Sequence, residues 1–152
     1  MRFLCTLALF ALSLTVSLPA FAGGFYVETF SPNSSARSAS KSAFVLARLV
    51  GCHQPERGGV KATAYGMVNG KREVREAKVI PLKTQGMFVI ERTWPASGQW
   101  VLQLDGTHPD IEKPTVLLLN ASSEEYTTGT KKVALGFTTP AQIESEIRSL
   151  LE

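Results

Sequence analysis

Three side chains have the chemistry to hold a metal ion or to activate a nucleophile: Cys52, His53 and His108. One thiolate and two imidazoles are the smallest set for a copper or zinc site, in which His and Cys ligands converge from different loops. His108 also sits among Asp105, Asp110 and Glu112, whose oxygens could attract calcium. The spacing does not match an EF-hand loop, and Pro109 restricts the segment. No Met-rich segment adds thioether ligands, and Gly23-Gly24-Phe25 lacks the third-position His of an amino-terminal copper chelate. Cys52 and His53 are adjacent, so in extended chain they point to opposite faces and cannot pair directly. Nucleophilic catalysis needs a nucleophile, a base and an orienting group. The chain has no G-x-S-x-G, no H-E-x-x-H and no phosphate-binding glycine loop.

These residues point away from an enzyme. They leave two readings. One is a non-enzymatic exported binding or accessory protein, with an unknown protein or small molecule as ligand and no cofactor. The alternative is a small periplasmic metal-handling protein that uses Cys52, His53 and His108 for copper or zinc.

The first 22 residues form a signal peptide by pattern. Arg2 supplies the positive start, Phe3 to Val16 is nearly all apolar, and Ala20-Phe21-Ala22 is a small-x-small cleavage site. The apolar run is short of the roughly 20 residues that span a bilayer. Cleavage is expected to leave residues 23–152 as one exported domain, periplasmic or extracellular, with no stable membrane anchor. Removing 22 of 152 residues leaves 130, enough for one sizeable core. Removing Arg2 from the 16 basic residues leaves 15 against 13 acidic ones, a net charge of +2. That is too mild for nucleic acid or an anionic membrane. Of the two cysteines, Cys5 departs with the signal peptide, so the mature chain has no internal disulfide. Cys52 is then expected to be a buried, inert thiol.

The stretch Gly86 to Leu104, GMFVIERTWPASGQWVLQL, organises the remainder. Phe88, Ile90 and Trp94 share one parity, as do Trp100, Leu102 and Leu104; period two marks half-buried strands. Pro95 to Gly98 supplies a turn between them, and the flanking tryptophans are expected to anchor one core. A first strand covers Gly24 to Phe30, and the Ser-rich run Ser31 to Ser42 reads as an exposed loop. Ala43 to Cys52 is apolar on both parities, which predicts a strand covered on both faces. Asn69-Gly70 predicts a type I′ hairpin between Val60–Val68 and Lys71–Leu82. The parity slip between Val74 and Ala77–Ile80 predicts a bulge or bend. The charged run after Lys71 reads as an edge strand. Asp105 to Pro114 reads as a loop, Thr115 to Asn120 as a buried strand, and Thr130 to Phe137 as a last strand.

Residues 140–151 close the chain as a helix. Thr139 is the N-cap, Pro140 the first helical residue and Gln142 the capping-box partner. Ile143, Ile147, Leu150 and Leu151 form one apolar stripe. This helix is expected to cover an open sheet face, that of the Ala43–Cys52 strand being one choice. Asn33-Ser34-Ser35 and Asn120-Ala121-Ser122 match the glycosylation sequon, a match that matters only in a eukaryotic secretory pathway.

About eight short strands with regular turns predict an all-β sandwich. The order from Val60 to Leu104 is a hairpin pair, Gly86-Met87-Phe88, Trp94-Pro95 and Gly98-Gln99-Trp100-Val101-Leu102. It resembles the immunoglobulin-like and transthyretin-like sandwiches of secreted bacterial accessory proteins, including the YtkA-like group. The resemblance covers about a third of the chain and implies a fold of seven to eight strands rather than a ligand. It departs from antibody-type domains, because no Cys pair can bridge the sheets.

Overall fold

The computed structural model describes residues 24–51, 54–136 and 138–152. The signal-peptide segment, Cys52 and His53 lie outside the described residues. Among the described residues nine strands form two antiparallel sheets, accompanied by two α-helices and a 3-10 turn at Pro55–Arg57. The first sheet has the order β1-β2-β6-β5, with β1 at Tyr26–Phe30, β2 at Ala43–Val50, β5 at Val79–Pro81 and β6 at Met87–Glu91. The second has the order β4-β3-β7-β8-β9, with β3 at Gly59–Val68, β4 at Lys71–Glu76, β7 at Gln99–His108, β8 at Ile111–Asn120 and β9 at Lys132–Gly136. Helix α1 spans Ser34–Ala39 and helix α2 spans Pro140–Leu151. The architecture is the expected β-sandwich, with nine strands among the described residues where seven to eight were expected.

The inward residues of both sheets make the central core. Val27, Val45, Ala47, Leu49 and Ile90 meet Ala62, Ala64, Leu102, Leu104, Leu117 and Leu119. Trp100 lies at its centre, fully buried, with its indole N–H donating to the Ser97 carbonyl at 2.9 Å. Its cross-strand partner is Gly66, where a Cβ would stand 2.5 Å from the indole, so only glycine leaves room for the ring. Trp94 is 4% exposed and donates to the Ala121 carbonyl at 3.0 Å. The two indoles lie 6.5 Å apart, and Phe44 meets Trp94 edge-on at 5.1 Å.

Several local expectations hold. Asn69 and Gly70 take φ of 50° and 73°, as a type I′ turn requires. The capping box at Thr139 is complete, and Ile147, Leu150 and Leu151 are buried.

Other expectations are corrected. The two strands of the Gly86–Leu104 stretch do not pair: β6 belongs to the first sheet and β7 to the second. The Pro95–Gly98 segment therefore crosses between sheets, and the Arg92 guanidinium holds it by donating to the Trp94, Pro95 and Ser123 carbonyls. The slip after Val74 is also a change of sheet. Ala77 is buried and donates its amide to the Ala62 carbonyl, and the chain then enters β5. The Asp105–Pro114 segment is mostly strand, closed by a tight turn at Pro109-Asp110, with a register shift between Gly106 and His108.

The Ser-rich run contains α1, capped by Asn33, whose side chain accepts from the Ala36 amide at 2.9 Å. Ala36 is fully buried against Leu46 and Val89. The second face of β2 is thus covered by α1, whereas α2 covers Val101, Val116 and Leu118 on the second sheet. A short helix of Ser and Ala carries no apolar period, yet its small side chains allow close approach to a sheet. Phe44 also departs from the simple parity. A register shift between Ala43 and Val45 turns it into the same core as Val45.

Helix α2 is fastened at its rim. Arg72 on β4 reaches Glu144 with both terminal nitrogens, and Arg148 donates to the same carboxylate at 2.9 Å. The Arg72 guanidinium first, then Arg148, holds the Glu144 carboxyl down at about 2.

Candidate functional site

Of the three residues singled out for chemistry, His108 is described. It ends β7 with its side chain fully buried, and its ring meets Phe25 edge-on at 5.5 Å. Its Nδ1 accepts from the Asp110 amide at 3.2 Å, and its Nε2 donates to the Gln54 carbonyl at 3.2 Å. This pair of bonds selects the neutral Nε2–H tautomer and occupies the lone pair that a metal would need. Asp110 gives its carboxylate to Arg57 at 2.8 Å. Together these contacts tie the segment Gln54–Arg57 to the β7–β8 turn, which is a fastening role. Among the described residues no three His, Cys, Asp or Glu side chains are grouped to hold a metal ion.

The sequon asparagines are also occupied in local structure. Asn33 caps α1, and the Asn120 side chain accepts from the Ser122 amide at 3.1 Å. Asp105 lies on the outer face of the second sheet, where burial raises its carboxyl pKa. The Gln103 amide, which donates to it at 2.7 Å, and the charge of Lys61 oppose that rise. Arg92 is partly buried between Phe44 and Trp94, and burial lowers its pKa while Glu124 opposes. Its three carbonyl partners make it a staple.

One feature with room for a ligand lies along one side of the sandwich, between the edge strands β1 and β9. A groove of about 520 Å³ is lined by Tyr26–Phe30 of β1, by Leu117 and by Lys132 and Ala134 of β9. The register explains its shape. Val27 and Thr29 pair with Leu49 and Ala47, so they point inward, while Tyr26, Glu28 and Phe30 point outward. Ala134 and Lys132 pair with Leu117 and Leu119, so they too point toward the opposite sheet. β1 packs over β8 and β7, so β9 lies beyond the strand that faces its sheet. Ala134 and Lys132 both remain exposed.

Behind the β1 wall, the Tyr126 hydroxyl meets Thr29 Oγ1 at 2.8 Å and its carbonyl accepts from Ser31 Oγ at 3.2 Å. On the outer rim Tyr26 is 45% and Phe30 38% exposed, large values for aromatic rings. Arg48 lies over the Phe30 ring and pairs with Glu28. Lys132 forms no ion pair among the described residues. The sequence does show β1 as a strand and Lys132 as part of another, but their adjacency across the sandwich comes only from the sheet order.

No family model, no curated protein and no solved structure matches this chain. Among the described residues no helix is long and apolar enough to cross a membrane.

Proposed function

We propose that this chain is a non-enzymatic, exported binding or accessory protein of the immunoglobulin-like kind, which engages its ligand along the β1–β9 side. The strand order supports the fold assignment. β1-β2-β6-β5 facing β4-β3-β7-β8 follows the A-B-E-D and C′-C-F-G order of that fold, with β9 as an added strand. The observation that carries the functional reading is the groove itself: two neighbouring sheet edges, exposed aromatic rings and a lysine that forms no ion pair among the described residues, all at one place. Exposed edges are normally blocked by charge, proline or a covering segment. An edge left open and flanked by rings is a surface for recognition.

Export supports the same reading through the Ala20-Phe21-Ala22 motif, and it is checked by the intact mass of protein collected outside the cytoplasm. A chain beginning at Gly23 is expected, and a soluble exported species that keeps Arg2 overturns the export assignment. Binding is checked by placing a photoreactive residue at position 132 and, separately, at position 74 in the exported protein. Val74 is 56% exposed on the far edge strand. A discrete cross-link at 132 and none at 74 is expected. Cross-links at neither position, or equally at both, overturn the assignment of this side as the binding surface.

A further inference from the structure

We infer that the occupant of the β1–β9 groove is an extended peptide strand, which adds to the free edge of β1 and places an acidic side chain against Lys132. This rests on the binding reading above and names the partner class. The second sheet has five strands and the first has four. A strand laid beside β1 becomes the fifth strand of the first sheet and faces β9 across the sandwich. Its backbone takes the unpaired N–H and C=O groups along Tyr26–Phe30, a stretch of about 17 Å at the usual rise of a strand.

The side-chain pattern of the occupant follows from the walls. Alternate residues point inward, over Leu117 and Ala134, and there they must be small or branched apolar groups. The inward residue opposite Lys132 meets a cation that has no partner among the described residues, so a carboxylate is preferred there. Glu28 does not compete for an added cation, because Arg48 already pairs with it on the outer face. Outward residues lie beside Tyr26 and Phe30, whose rings favour β-branched or aromatic neighbours across a strand pair.

The test uses the mature protein and synthetic heptapeptides with blocked ends. Two carry the pattern Thr-Val-Thr-Val-Thr-Glu-Thr and Thr-Glu-Thr-Val-Thr-Val-Thr, which cover both strand directions; two more have Lys in place of Glu. Backbone amide signals of residues 26–30 and 132–134 are expected to move on addition of a Glu peptide, and those of β4 to stay. The Lys132→Glu variant is expected to weaken the Glu peptide by about fivefold and strengthen the Lys peptide by a similar factor, the size of an exposed ion pair. Lys132 is exposed, so folding is not at issue; Ala134→Trp, which fills the groove without changing its charge, should abolish binding of all four peptides. Absence of binding by every peptide, while the cross-link at position 132 persists, overturns the strand inference and leaves the binding reading intact. A free protein that sediments as a dimer with its β1 amides already protected makes a second copy the occupant, and equally overturns it.

Discussion

The sandwich has two sides, and they are finished differently. On the β4–β5 side, β4 extends beyond its facing strand, but its inward positions Lys71, Glu73 and Arg75 are all charged, and Arg75 pairs with Glu73 at 2.9 Å. Water can cover such an overhang. The crossing at Ala77 and Lys78 then ties the two sheets together, and β5 is only three residues long and ends in Pro81. On the β1–β9 side the connection between β8 and β9 meets the end of β1, where Tyr126 bonds Thr29 and Ser31. The overhanging strand turns Ala134 inward beside Lys132, and β1 carries no lysine or proline. Charge, proline and a covering segment are the usual protections of an edge. The chain uses all three on the β4–β5 side, whereas the β1–β9 side keeps charge, in Lys132 and the Glu28–Arg48 pair, and leaves the β1 edge without proline.

This contrast can be broken or sharpened by substitution. The largest effect is expected at Trp100, which fills the core against Gly66 beneath the β3–β4 pair. Trp100→Ala should cost about 3–5 kcal/mol in chemical denaturation, and a loss below about 1 kcal/mol would show that the closed side does not depend on this ring. Next comes the same change made on both sides. Ala77→Asp buries a carboxylate at the crossing and should cost roughly 2–4 kcal/mol. Ala134→Asp adds one to an exposed position and should alter stability by no more than about 0.5 kcal/mol, so it marks the lower end of the scale. Equal losses would erase the distinction between the sides.

Between these lies a change that belongs to neither edge. Burial raises the folded-state pKa of Asp105 above its unfolded value. The folded chain therefore holds the proton more tightly, and stability falls as pH rises through the raised value. Asp105→Asn is expected to stabilise the protein at neutral pH, with the gain vanishing below about pH 4, the ordinary carboxylate range. Thermal melts of both proteins across pH decide it, and a variant less stable at pH 7 would show that Lys61 and Gln103 outweigh burial. Glu144 has the opposite sign. Its pKa is lowered by Arg72 and Arg148, so its contribution is present above the ordinary carboxylate range and is lost as pH falls toward about 2.

The β-sandwich class, the Asn69-Gly70 hairpin, the capped C-terminal helix and the burial of Trp100 and Trp94 were all legible in the residues. Each depends on neighbours within a few positions: a turn that needs two positive φ angles, a hydroxyl within reach of an amide three residues on, an alternation of apolar side chains. The short α1 was not legible, because Ser and Ala carry no apolar stripe and only Ala36 packs. The reach of β7 and β8 through the Asp105–Pro114 segment was hidden by its polar residues, which a two-sided strand at a sheet end tolerates.

The candidate site divides in the same way. That His108 has donor and acceptor nitrogens is a property of the residue; that Gln54 and Asp110 use both is a property of the fold. That Tyr26, Phe30, Lys132 and Ala134 are one surface could not be read locally, because roughly a hundred positions separate the strands that carry them. The Thr29–Tyr126 contact, 97 residues apart in sequence, shows the distance over which such pairings are set. The sequence by itself determined which segments become strands and which ends are capped, since those choices are made by local backbone and side-chain energetics. Only the tertiary structure decided which sheet each strand joins, which helix covers which face and which edge stays open, because those follow from how the apolar faces bury one another.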